Sequence, residues 1–144
     1  MLLNRVLPAA LAISLPWSVA TGATLLCIEE KAIGFQYDNA KGVEQKNWSA
    51  QRLLVNLDAN AATIKTFGST SSGFLMACSK PALFAQPDLL ACTDGSYTFV
   101  IHEVALRFTY AKQYGYVTDA RTSPRQPSTD GLSISYGVCE RIVV

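Results

Sequence analysis

The chain has 144 residues, of which 49% are hydrophobic and 16% are charged, and its formal net charge is +1. The basic residues are scattered singly, so the composition argues against a nucleic-acid surface and against attraction to an anionic membrane. A chain of this length is expected to form one domain.

Residues 1–23 have the layout of a cleavable secretory signal peptide. Arg5 supplies a positive charge, an apolar stretch follows over 6–17, and small residues allow a cut after position 20 or 23. The stretch is shorter than the roughly 20 apolar residues that cross a bilayer, so no transmembrane span is expected after its removal. Acylation of Cys27 is a less favoured alternative, because the preceding Leu26 is bulky.

Four cysteines follow the leader, and an even number in an exported chain indicates disulfide bonds. Three pairings are possible. We favour Cys27 with Cys139, which would join the first strand to the last, and Cys78 with Cys92, which would close a short loop. The cysteines lack the spacing of zinc ligands and His102 is the single histidine, so neither a metal nor another cofactor is expected.

Residues 24–144 are predicted to be a single β domain, because short strand-like runs alternate with turn residues and no helical period is present. The runs lie at 24–29, 33–37, 51–57, 63–67, 74–78, 89–93, 96–101, 103–110, 114–117, 132–136 and 138–143. Asp94-Gly95 suits a type I′ hairpin turn, in which both central residues take positive φ. We expect an all-β fold, a small antiparallel β-sandwich or barrel of about eight or nine short strands with two disulfides.

Two of these strands depend on finer patterns. Alternation of apolar residues from Val104 to Tyr110 favours a strand over a helical turn. In the last strand, Leu132, Ile134 and Tyr136 share one side, opposite to Cys139, and a bulge at Gly137 would reset that phase.

Several short motifs occur in a fixed order along the chain. They are Gly34-Phe35, Trp48, the pair Cys78 and Cys92, Leu106-Arg107-Phe108, Tyr114-Gly115-Tyr116 and Gly137-Val138-Cys139. Together they resemble a family of small exported proteobacterial proteins with a four-cysteine β domain. The resemblance implies a periplasmic or secreted protein of a Gram-negative bacterium, and it implies no particular reaction.

No catalytic motif stands out, because His102 and Glu103 are adjacent and would point to opposite faces of a strand. Large aromatic rings offer a platform for sugars or apolar ligands, although such rings also fill cores. The candidate ligand-facing aromatics are Trp48, Tyr110, Tyr114 and Tyr116.

We therefore expect a non-catalytic binding or interaction domain of the periplasm or cell envelope, whose partner is a small ligand or an envelope protein. One alternative is a small secreted hydrolase without a recognisable motif, whose site would assemble from distant residues, with His102, Asp94 or Glu103 as candidates. The other is a structural component of the envelope.

Overall fold

The computed structural model describes residues 22–38, 42–81, 86–113 and 131–143, which contain nine strands and no helix. The strands are β1 (Ala23–Asp38), β2 (Gly42–Trp48), β3 (Arg52–Leu57), β4 (Ala61–Thr66), β5 (Phe74–Ser79), β6 (Leu89–Thr93), β7 (Tyr97–His102), β8 (Arg107–Lys112) and β9 (Gly131–Ile142). The predicted leader up to residue 21, the strand at 114–117 and the loop at 118–130 lie outside the described residues. Within the described ranges, no helix is long and apolar enough to cross a membrane.

Eight of the strands close into an antiparallel barrel in the order β1-β3-β4-β5-β6-β7-β8-β9, and β9 pairs back with β1. The ninth strand, β2, pairs with the second half of β1 and extends the sheet beyond the barrel. The predicted all-β class is confirmed, and the barrel is the architecture observed.

The runs at 24–29 and 33–37 belong to one strand of 16 residues, β1. Residues 23–28 pair with β3 and residues 32–38 pair with β2 along the same edge. The other edge pairs with β9 from Thr24 to Gln36, with a register shift between Glu29 and Lys31. Inward-facing residues therefore have odd numbers before this bulge and even numbers after it.

Strict alternation on β9 places Cys139 opposite Leu132, Ile134 and Tyr136 as expected, because the register shift lies on β1 and no bulge at Gly137 resets the phase. The glycine is required for a different reason. An added Cβ at Gly137 would overlap the carbonyl oxygen of Ile28, so only glycine permits this approach of β9 to β1.

Unbroken alternation on β9 places Cys139 inside the barrel and three apolar side chains outside it. Leu132, Ile134 and Tyr136 are 41%, 53% and 50% exposed. Ile33 and Phe35 of β1 lie opposite Ile134 and Leu132, so the outer surface of this strand pair is apolar.

The barrel interior is filled by side chains from alternate positions of its strands. Its fully buried residues include Leu25, Val55, Ile64, Met76, Leu90, Phe99 and Ile101. Both disulfides lie among them and join directly paired residues of neighbouring strands, Cys27 with Cys139 and Cys78 with Cys92. These are the two pairs expected from the sequence.

The type I′ turn predicted at Asp94-Gly95 is wrong. Thr93 pairs with Thr98, so the turn is centred on Gly95-Ser96. Of these turn residues Gly95 alone has a positive φ, +91°, as a type II′ turn requires at its first central position. The Asp94 carboxylate fixes the turn by accepting a hydrogen bond of 2.8 Å from the Ser96 N–H.

The first half of the strand predicted over 103–110 is also wrong. Residues 103–106 form a turn, in which the Leu106 N–H donates to the His102 carbonyl at 2.8 Å and Leu106 has a φ of 53°. Val104 is 72% exposed. The alternation of apolar residues continues through this turn, so apolar spacing alone cannot distinguish the turn from a strand.

Gly137→Ala is expected to lower the free energy of unfolding by about 1–3 kcal/mol, because the new methyl group must displace paired backbone. Urea denaturation of the oxidised protein measures this change. Gly131→Ala is the matched control on the same face of β9, since its added Cβ would lie 3.4 Å from the nearest atom, the Phe35 carbonyl oxygen. Equal losses in the two variants would contradict the packing argument.

Removing either disulfide by a double substitution to alanine is expected to destabilise the barrel, and the two losses should differ. The bonds span 112 and 14 residues. Loop closure entropy predicts losses of about 4–5 kcal/mol for Cys27 with Cys139 and about 3 kcal/mol for Cys78 with Cys92. Chemical denaturation of both double variants checks the order, and the reverse order would refute the explanation.

Candidate functional site

A cavity of about 330 Å³ opens at the end of the barrel where β8 ends and β9 begins. This end also carries the turn after β6 and the point where β1 stops pairing with β3 and starts pairing with β2, and we call it the mouth. The cavity is lined by Glu29, Ala32, Trp48, Ser49, Gln51, Tyr110, Lys112, Gly131, Ser133 and Ser135. The lining combines aromatic rings, hydroxyl groups and two charges, unlike the apolar interior below it.

Glu29 is the buried charge of this cavity, with 7% of its surface exposed. It follows Leu25 and Cys27 on the inward face of β1, immediately before the bulge. The Ser135 hydroxyl donates to Oε1 at 2.5 Å and the Gln51 N–H donates to Oε2 at 2.8 Å. Two neutral donors from β9 and from the residue before β3 thus fix the carboxylate in place.

Trp48, the last residue of β2, covers one side of the mouth. It pairs with Ala32 of β1, and its ring lies over Gly131, where an added Cβ would come within 3.7 Å of the ring carbon Cζ2. The Lys46 ammonium lies 5.2 Å from the ring centroid and donates to Gln36 Oε1 at 2.6 Å. This cation–π contact orients the indole.

Tyr110 belongs to a row of aromatic rings that crosses the opposite side of the mouth. The rings of Phe74 and Tyr97 have centroids 5.0 Å apart, and those of Tyr97 and Tyr110 stack at 5.6 Å. Burial raises the pKa of the Tyr110 hydroxyl above its usual range, and the neighbouring Tyr97, Asp94 and Glu29 act in the same direction. The hydroxyl therefore stays neutral and able to donate a hydrogen bond.

The structure brings together two of the four candidate ligand-facing aromatics, Trp48 and Tyr110, in the lining of one cavity. Tyr114 and Tyr116 lie outside the described residues. The four cysteines lie in the two disulfides and do not line the cavity.

The residues of the hydrolase alternative do not meet. His102 ends β7 opposite Arg107, whereas Asp94 precedes the first residue of the same strand, at the mouth. Glu103 lies next to His102 but forms an ion pair with Lys80. In the part of the chain that the structure describes, His102 therefore forms no acid–base pair with Asp94 or Glu103.

Sequence reasoning missed Glu29, Lys112, Ser133 and Ser135 as lining residues. A usable signal existed, because Glu29 is in phase with Cys27, and the two serines are in phase with Cys139. Polar residues that share the inward face of a strand with a disulfide-bonded cysteine mark the place where the barrel interior stops being apolar.

The described residues hold no group of three or more His, Cys, Asp or Glu side chains that could bind a metal ion. In comparisons with known proteins, no family, no curated protein and no solved structure matches the chain. The chemistry of the cavity is therefore the main indication of function.

Tyr110→Phe is expected to reduce the loss of stability at alkaline pH. An unfolded chain releases a tyrosine proton near pH 10, before the folded state does, so the free energy of unfolding falls as the pH rises past about 10. Denaturation at about pH 8 and about pH 11 measures the fall in each protein. Tyr136→Phe, on the outer surface, should keep the wild-type fall, and an undiminished fall in Tyr110→Phe would contradict the prediction.

Proposed function

We propose that this protein is a non-catalytic binding domain that holds a small ligand in the mouth of its barrel. Small eight-stranded barrels have room for side chains or for one small ligand, and the mouth of a barrel is a common ligand site. The single observation that supports the proposal most is the position of Glu29, a buried carboxylate held at the wall of an open cavity.

The lining supports recognition as well as enclosure. Ligand sites combine apolar surface with a few fixed polar groups that set orientation. Here Trp48 and Tyr110 supply flat apolar surface, while Glu29, Ser133 and Ser135 supply polar groups. A volume near 330 Å³ suits a small molecule rather than a polymer chain.

We place this binding domain in the periplasm or outside a Gram-negative cell. Two disulfides within one small domain favour an oxidising compartment, where such bonds form and persist. The leader-like residues 1–23 and the resemblance to exported proteobacterial proteins support the same location.

The two alternatives have less support. A hydrolase would need His102 near a carboxylate in a cavity, and His102 lies at the barrel end away from the mouth. A purely structural envelope component would have no use for a polar cavity with a buried charge.

A thermal-shift panel of sugars, lipids, peptides and small amphiphiles tests the proposal. A ligand that binds only the folded protein raises Tm by mass action, and occupancy of the mouth should change the emission of Trp48. Trp48→Ala should weaken binding by about tenfold, because stacking contributes about 1–2 kcal/mol. Phe67→Ala is the control, since Phe67 is exposed and does not line the cavity. A panel without any shift would contradict a small-ligand function.

A further inference from the structure

The outer edge of β2 is an open edge of the sheet. β2 pairs with β1 over all seven of its residues along one edge, and along its other edge it pairs with no strand of the described ranges. Its side chains from Val43 to Trp48 are exposed. An open edge presents a row of backbone N–H and C=O groups to which another extended strand can add. The sheet of the barrel can therefore be extended at β2.

β2 lacks several of the features that keep open edges from pairing. It contains no proline, and its register with β1 runs without a shift from Gly42 to Trp48. Its charged residues are Glu44 and Lys46, one of each sign. A regular strand without net charge does not repel an approaching strand as a row of lysines does.

The sequence of β2 is complementary to itself when two copies lie antiparallel. Gln45 is the central residue of the seven, so a twofold axis at Gln45 pairs the full length of both strands. In this register Glu44 of each copy lies opposite Lys46 of the other, and two opposite-charge pairs form on one face. On the other face Val43 of each copy lies opposite Asn47 of the other.

Other arrangements of two β2 strands lose this match. An axis at Glu44 or at Lys46 sets like charges opposite each other and leaves residues at the strand ends unpaired. A parallel pairing in register sets like charges against each other at both positions. Like charges directly opposite destabilise a pair of strands, so the two charges select the antiparallel register centred on Gln45.

The contacts that these two charges already make are compatible with this pairing. The Lys46 ammonium donates to Gln36 Oε1 and lies over the Trp48 ring, and an ammonium carries three N–H donors in all. Glu44 also interacts within its own chain, and an ionised carboxylate has about four acceptor positions. Both side chains are exposed, so each can make a further contact.

We propose that the chain forms a twofold-symmetric dimer, in which β2 of each copy pairs antiparallel with β2 of the other and Gln45 lies at the axis. The partner of this open edge is thus a second copy of the chain. The pairing adds backbone hydrogen bonds along both strands and joins the two barrels in one sheet. Because the contact involves one short strand of each copy, the dimer is weak and its population depends on protein concentration.

Charge reversals test the register. Glu44→Lys alone or Lys46→Glu alone turns both opposite-charge pairs into like-charge pairs, and each should weaken the dimer by about tenfold. The variant with both substitutions restores two opposite-charge pairs and should dimerise like the wild type. An equimolar mixture of the two single variants should form a heterodimer. Sedimentation equilibrium of the oxidised proteins, over concentrations from about 10 μM to about 1 mM, measures each association.

A cysteine at the axis tests the position of the contact. Facing Cα atoms of an antiparallel pair are about 4.5–5.5 Å apart, a distance that a disulfide spans. Gln45→Cys should therefore crosslink the two copies on oxidation, which non-reducing electrophoresis detects. Asn47→Cys is the matched control on the same face, because its two copies would lie about 13 Å apart along the strands and should not crosslink. The native cysteines are all paired and do not compete.

A second control separates the edge of β2 from the apolar outer surface of the barrel. Ile134→Ser removes an exposed apolar side chain of β9 and leaves β2 unchanged, so it should keep the dimer. A chain that stays monomeric over the whole concentration range would overturn the proposal. So would a dimer that withstands both single charge reversals, a double reversal that fails to restore association, or a dimer that Ile134→Ser abolishes.

Discussion

The antiparallel pairing of β1 with β9 is the constraint on which the rest of the molecule depends, because it closes the sheet into a barrel. Closure removes the open edges that a flat sheet would leave on these strands. The same pairing makes Gly137 necessary, since β1 approaches it too closely for any side chain. The length of β1 also positions the site. Beyond its pairing with β3, β1 continues, pairs with β2 and brings Trp48 over the mouth.

The bulge on β1 links closure to chemistry. Before it, the inward residues are Leu25, Cys27 and Glu29, and after it the inward side chain is Ala32. The extra residue changes the inward-facing positions of β1 from odd to even numbers. This change lies where the packed interior ends and the cavity begins. Small residues on β9, such as Ser133, leave room above the buried carboxylate. The bulge therefore lies at the boundary between the apolar interior and the polar mouth.

The sequence allowed much of the framework to be predicted. Alternation identified β3 and its buried face, and the even number of cysteines with their positions indicated both disulfides. Local pattern failed where tertiary pairing decides the outcome. Gly137 of β9 was one possible place for a bulge, whereas the extra residue lies on β1, since either strand of a pair can hold it. The turn at 103–106 has the alternating apolar pattern of a strand. The cavity depends on Glu29 and Lys112, which lie far apart in the sequence and come to one wall only when the barrel closes.

The seam between β1 and β9 also sets an order of events during synthesis. The strand that closes the barrel lies about a hundred residues after the strand it must meet, so the barrel cannot close until nearly the whole chain is available. Contacts so distant in sequence form slowly. Until β9 is in place, the edges of β1 and β8 that it covers have unpaired backbone groups, and unpaired edges of this kind promote aggregation.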